Sequence, residues 1–80
     1  APGPRAALRL VPNPASDTVR ILGLEEEAWV TLRDGQGGEV LHRRVPMEGV
    51  LSLTGIGPGL YSVEVETRKG PAVLRLTVAR

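Results

Sequence analysis

Eighty residues carrying ten Lys and Arg against nine Asp and Glu make one domain with one hydrophobic core and a formal charge of +1. So even a balance cannot sustain the focused field that a phosphate backbone needs, which sets nucleic acid aside. With no cysteine there is neither a disulfide framework nor a thiolate metal site, and the redox compartment stays open. Hydrophobic residues make up 41% of the chain and charged ones 24%, while seven prolines and ten glycines interrupt short apolar alternations, so the pattern predicts many short strands joined by turns rather than disorder. No run approaches the roughly 20 apolar residues of a membrane helix, and no basic region followed by an apolar stretch marks a signal peptide.

Ala1-Pro2-Gly3-Pro4-Arg5-Ala6-Ala7 reads as the end of an interdomain linker stiffened by proline, which is expected to place a C-terminal module at residues 8–80. Leu8 to Val11 alternates briefly and is cut off by Pro12, as expected of a short strand at a sheet edge. Pro12-Asn13-Pro14 then forms a rigid corner. Each proline fixes φ and removes a donor, and Asn13 is driven to extended geometry by the proline after it. Ser16 and Asp17 offer short acceptors that can close the turn before Thr18 to Leu22, where Val19 and Ile21 share one face.

Leu24-Glu25-Glu26-Glu27 reads as a solvated loop. A cation site is the alternative, but consecutive carboxylates on an extended chain point to alternate sides and do not converge. Ala28 to Arg33 resumes alternation with Ala28, Val30 and Leu32 inward and Trp29 outward or at the rim. Asp34-Gly35-Gln36-Gly37-Gly38 is a hairpin turn, not a phosphate loop, because a strand and not a helix follows it from Glu39 to Val45. Pro46 to Gly49 turns the chain into Val50 to Leu53. Leu51, Leu53 and Ile56 are expected in the core. Leu60 to Glu66 alternates most cleanly, with Tyr61, Val63 and Val65 inward. Arg68 to Pro71 is read as a turn, and Ala72 to Ala79 as a last strand with Leu74, Leu76 and Val78 inward. About seven strands and no helix predict an all-β antiparallel sandwich of two sheets.

Catalytic chemistry finds little to work with. The single histidine, His42, lies on a strand among arginines as a surface residue, with no nucleophile and orienting group beside it. Glu64 and Glu66 share the polar face of one strand, and no cluster of His, Cys or carboxylates has metal-ligand spacing. One tryptophan, one tyrosine and no phenylalanine are few for an aromatic platform, although Trp29 alone could contact a sugar. The chain is read as a non-enzyme with no cofactor, metal or small-molecule substrate.

Four segments in order resemble the C-terminal sorting domain of the type IX secretion system. Val11-Pro12-Asn13-Pro14-Ala15-Ser16-Asp17 is similar to the opening motif of that family, a hydrophobic residue and Pro-Asn-Pro followed by a small residue and Asp. Asp34, Gly37 and Val40 match its Asp-x-x-Gly hairpin, whereas Gly38 and Glu39 stand where the pattern has a basic and a variable residue. Ile56 to Val63 is similar to its Gly-x-Tyr motif through Gly59 and Tyr61, and Gly70, Arg75, Val78 and Arg80 fit its last turn and strand. The resemblance implies a seven-stranded immunoglobulin-like sandwich that directs an attached cargo through the outer membrane, by way of a translocon and a shuttle protein, to the surface or medium. It further implies a sortase cut in or before Ala1 to Ala7, the region of Arg5 and Ala6, with recognition by the last two strands. Pro12, Asn13, Pro14, Asp17, Asp34 and Gly37 would be architectural. A free final strand is a natural candidate for strand addition by a partner. The competing reading is a non-catalytic immunoglobulin-like or fibronectin-like accessory module that binds carbohydrate or acts as a spacer.

Overall fold

A computed structural model describes residues 8–68 and 70–79. Seven strands form two sheets: β1 (Arg9–Val11), β2 (Thr18–Leu22), β3 (Ala28–Arg33), β4 (Glu39–Val45), β5 (Val50–Ser52), β6 (Gly59–Thr67) and β7 (Gly70–Val78). One sheet has the order β1-β2-β5, the other β4-β3-β6-β7, and every strand pairing within them is antiparallel. The chain crosses between sheets after β2, β4 and β5, which gives the immunoglobulin-like sandwich. β4 pairs with β3 instead of joining β5, so the division is three and four strands.

Period-2 alternation builds the core. Leu10, Val19, Ile21 and Leu51 face inward from the three-stranded sheet, and Val30, Leu32, Val63, Val65, Leu76 and Val78 from the four-stranded one. Leu53 and Ile56 close the core from the loop after β5, as their spacing predicts, while Tyr61 and Leu74 pack against it half-buried. Three strands cannot roof four. β4 overhangs, so Arg43 stays exposed although it pairs with inward-facing Val30, and of β4 only Val45 is buried.

Among the turns built on a positive-φ glycine, two position the strands beside them. Gly49 has φ +82° and its backbone lies so close to β2 that a Cβ would stand 2.2 Å from the Ile21 carbonyl oxygen, whose residue donates its N–H to Gly49 O at 2.8 Å. Gly37, at φ +87°, closes the β3–β4 turn, where the Asp34 carboxylate accepts the N–H groups of Gln36 and Gly38, each at 2.9 Å. Asp34 and Gly37 thus hold the turn between β3 and β4. The turn expected at Arg68 to Pro71 is tighter: Gly70 and Pro71 already belong to β7, opposite Thr67 and Glu66, and Thr67 Oγ1 donates to Gly70 O at 2.6 Å. Pro71 is tolerated there because β7 is an outer strand.

Candidate functional site

The Pro12-Asn13-Pro14 corner does not merely connect β1 to β2. It lies along the outer edge of β7, with both X-Pro bonds cis. The Asn13 side-chain amide donates to Arg75 O at 3.0 Å while its carbonyl oxygen accepts the Thr77 N–H at 3.0 Å. Two residues on, Ala15 forms a parallel bridge to Val78: Ala15 N–H donates to Thr77 O and Ala79 N–H to Ala15 O, both at 2.8 Å. Asn13 and Ala15 therefore supply a short substitute strand. Ala15 is 2% exposed and its methyl group belongs to the core. The acceptor that holds the corner to β7 is Asn13; Asp17 contributes its backbone carbonyl, which accepts from Leu53 N–H at 2.8 Å.

This changes the expectation that β7 is free for strand addition. By strand alternation the backbone groups of residues 71, 73, 75 and 77 point outward. Asn13 and Ala15 occupy those of Thr77 and the Arg75 carbonyl, and Pro71 has no N–H to offer. What remains is the carbonyl of Pro71, both groups of Val73 and the N–H of Arg75, a stretch about as long as the β1–β2 ladder, so strand addition is blocked on the C-terminal half of β7 alone.

The Gly-x-Tyr motif meets the same strand. Gly59 pairs with Val78 and Tyr61 with Leu76. Tyr61 Oη donates to Gly57 O at 2.7 Å, four residues upstream on the approach to β6, the bond of a tyrosine corner. Gly59, at φ +154°, lies under the Tyr61 ring, 3.7 Å from its nearest carbon when a Cβ is placed on it. Among the residues expected to carry recognition, Gly59 and Tyr61 thus shape the entry to β6, and Val78 is 2% exposed with its side chain in the core. Among the described ones, Arg75 has an exposed side chain. Gly70 opens β7. Ala1, Arg5, Ala6, Ala7 and Arg80 lie outside the described residues.

Across the sheet, the outer face near β4 carries a cluster that periodicity did not reveal. Trp29 is exposed, as expected, but the His42 ring stacks on it with centroids 4.8 Å apart and planes 6° from parallel, and the Arg44 guanidinium lies over it at 5.3 Å. His42 Nδ1 and Thr31 Oγ1 are 2.9 Å apart in a hydrogen bond. Thr31 is buried in consequence, although strand parity puts it on the outer face. The cross-strand register Trp29↔Arg44 and Thr31↔His42 assembles this group, and no spacing in the sequence encodes it. An indole engaged by two neighbours is a poor open platform for a sugar ring. Glu26 and Glu27 pair with Arg68 at 2.9 Å and Arg44 at 3.5 Å, so the acidic loop serves as counter-charge to two arginines.

No protein-family model matches the chain. No curated protein matches it either.

Proposed function

We propose that the chain is a non-catalytic secretion and sorting signal of the type IX kind, carried C-terminal to a cargo that it directs across the outer membrane for release or anchoring. The reading rests on the four ordered segments that resemble that family. One structural observation supports it best: the opening Pro12-Asn13-Pro14 motif and the Gly59-x-Tyr61 motif, far apart in sequence, flank the last strand, the first bonded to its outer edge through Asn13 and Ala15 and the second paired along its inner edge. Residues that share a contact form a unit a partner can read together. On this reading the partners are the outer-membrane translocon, its shuttle protein and a sortase, and the domain passes through the periplasm to the cell surface or medium.

Because Leu76 and Val78 are buried at 1% and 2% exposure, charged substitutions there would unfold the domain before they tested recognition. Exposed Arg75 is the better probe. Residues 1–80 fused to a periplasmic reporter in a host with the secretion machinery should bring the reporter to the surface or medium, and Arg75→Glu, with the domain still folded, should hold it in the periplasm. Periplasmic retention of the intact fusion, with the domain folded, would contradict the proposal. The accessory-module alternative predicts retention by insoluble glycans that is lost on Trp29→Ala; a sorting signal predicts no such retention.

A further inference from the structure

On the outer face of the four-stranded sheet two cations have carboxylate partners, while Arg75 has none among the described residues. On the four-stranded sheet, Arg33 Nε lies 3.6 Å from Glu64 and Arg44 3.5 Å from Glu27. On the three-stranded sheet the strands contain no acidic residue at all: β1 is Arg-Leu-Val, β2 Thr-Val-Arg-Ile-Leu and β5 Val-Leu-Ser. Its outward positions are Arg9, Val11, Thr18, Arg20, Leu22, Val50 and Ser52, since Leu10, Val19, Ile21 and Leu51 face the core. Among the described residues neither Arg9 nor Arg20 has a carboxylate within ion-pair distance.

The register places these groups in rows. Val11 pairs with Arg20 and Arg20 with Val50, so one row across all three strands reads apolar, cation, apolar; Arg9 pairs with Leu22 in the next row. Arg9 and Arg20 are therefore diagonal neighbours, with Cα atoms about 7–8 Å apart by sheet geometry. Two like charges at that spacing repel unless an anion sits between them. Arg20 is held to one side by its Nε–H donating to Glu48 O at 3.0 Å, which leaves its terminal nitrogens available. Val50 is 53% exposed, a large apolar surface for a β-branched residue on a strand only three residues long.

We propose that this face docks an acidic segment of a partner protein, with a carboxylate received by Arg9 and Arg20 and an adjoining apolar side chain resting on Val11, Leu22 and Val50. Guanidinium forks match carboxylates in a bidentate fashion, and the alternation of charge and apolar surface fits an amphipathic peptide rather than a simple ion. Two cations are too few to hold an anionic bilayer, where clusters of about four to eight basic residues are usual, and the face carries no aromatic side chain and only the half-buried Leu22 to enter lipid. The inference goes beyond the sorting reading and does not depend on it.

The test uses the isotopically labelled 80-residue chain and a capped peptide alternating leucine and glutamate, with its leucine-glutamine counterpart as control. Amide shifts should move at Arg9, Arg20, Leu22 and Val50, with affinity for the glutamate peptide about fivefold or more above that for the control, as two exposed ion pairs allow. The double variant R9Q/R20Q, both positions being exposed, should keep the spectrum of the folded chain and lose that preference. Equal binding of the two peptides, shifts centred elsewhere, an unaffected double variant, or tighter association with phosphatidylglycerol vesicles than with the peptide would each overturn the proposal.

Discussion

The two outer strands of the four-stranded sheet are protected in different ways. The C-terminal half of β7 is closed by its own chain, where Asn13 and Ala15 fill the positions a neighbouring strand would take, and Pro71 removes one donor from the other half. β4 has no such cover among the described residues and instead presents His42, Arg43 and Arg44, with a backbone irregularity where its pairing to β3 shifts between Leu32 and Arg33. Charge and bulges discourage pairing without forbidding it; an occupied ladder forbids it. The difference teaches that the C-terminal half of β7, the strand expected to be read by a partner, is a poor site for strand addition and offers its side chains instead.

Substitutions can break this contrast, beginning with Ala15→Asp. At 2% exposure an unpaired carboxylate there should cost about 3–5 kcal/mol and detach the corner from β7, read as a lowered denaturation midpoint. Asn13→Ala removes two hydrogen bonds from an exposed edge, where water can replace the lost partner, and should cost about 1–2 kcal/mol. Its more telling effect is on assembly: with β7 partly uncovered, the variant should self-associate at high concentration in sedimentation experiments while the parent stays monomeric. Tyr61→Phe loses only the bond to Gly57 O and should cost about 1 kcal/mol, without self-association, since β7 keeps its cover. On the opposite edge, Arg44→Gln removes one exposed ion pair and the contact over Trp29, for about 0.5 kcal/mol or less. Should that variant self-associate as readily as Asn13→Ala, charge would be the stronger guard and the contrast would be reversed.

How far each feature was legible follows from its range along the chain. Strand faces such as Val19 and Ile21 or Val63 and Val65 were readable because a period of two is a local property. The Asp34 turn was readable because its bonds span no more than four residues. The burial of Thr31 was not legible: parity puts it on the outer face, and only the register with β4 brings His42 over it. The expected turn through Gly70 and Pro71 gave too much weight to proline as a breaker, which an outer strand accommodates. Pro12-Asn13-Pro14 was recognisable as a corner, but its partners lie 62 and 64 residues away, and nothing in the motif names them. The candidate site was therefore visible as separate pieces, while the contact that unites them belongs to the fold.

That contact is tested most directly by amide hydrogen exchange at Thr77 in the parent and in Asn13→Ala. If Asn13 stands in for a neighbouring strand, the Thr77 N–H is protected in the parent to a degree comparable with paired amides of β6, and loses that protection selectively in the variant. Ala79, bonded to Ala15, should remain protected in both. Rapid exchange of Thr77 in the parent, as at an open strand edge, would contradict the account.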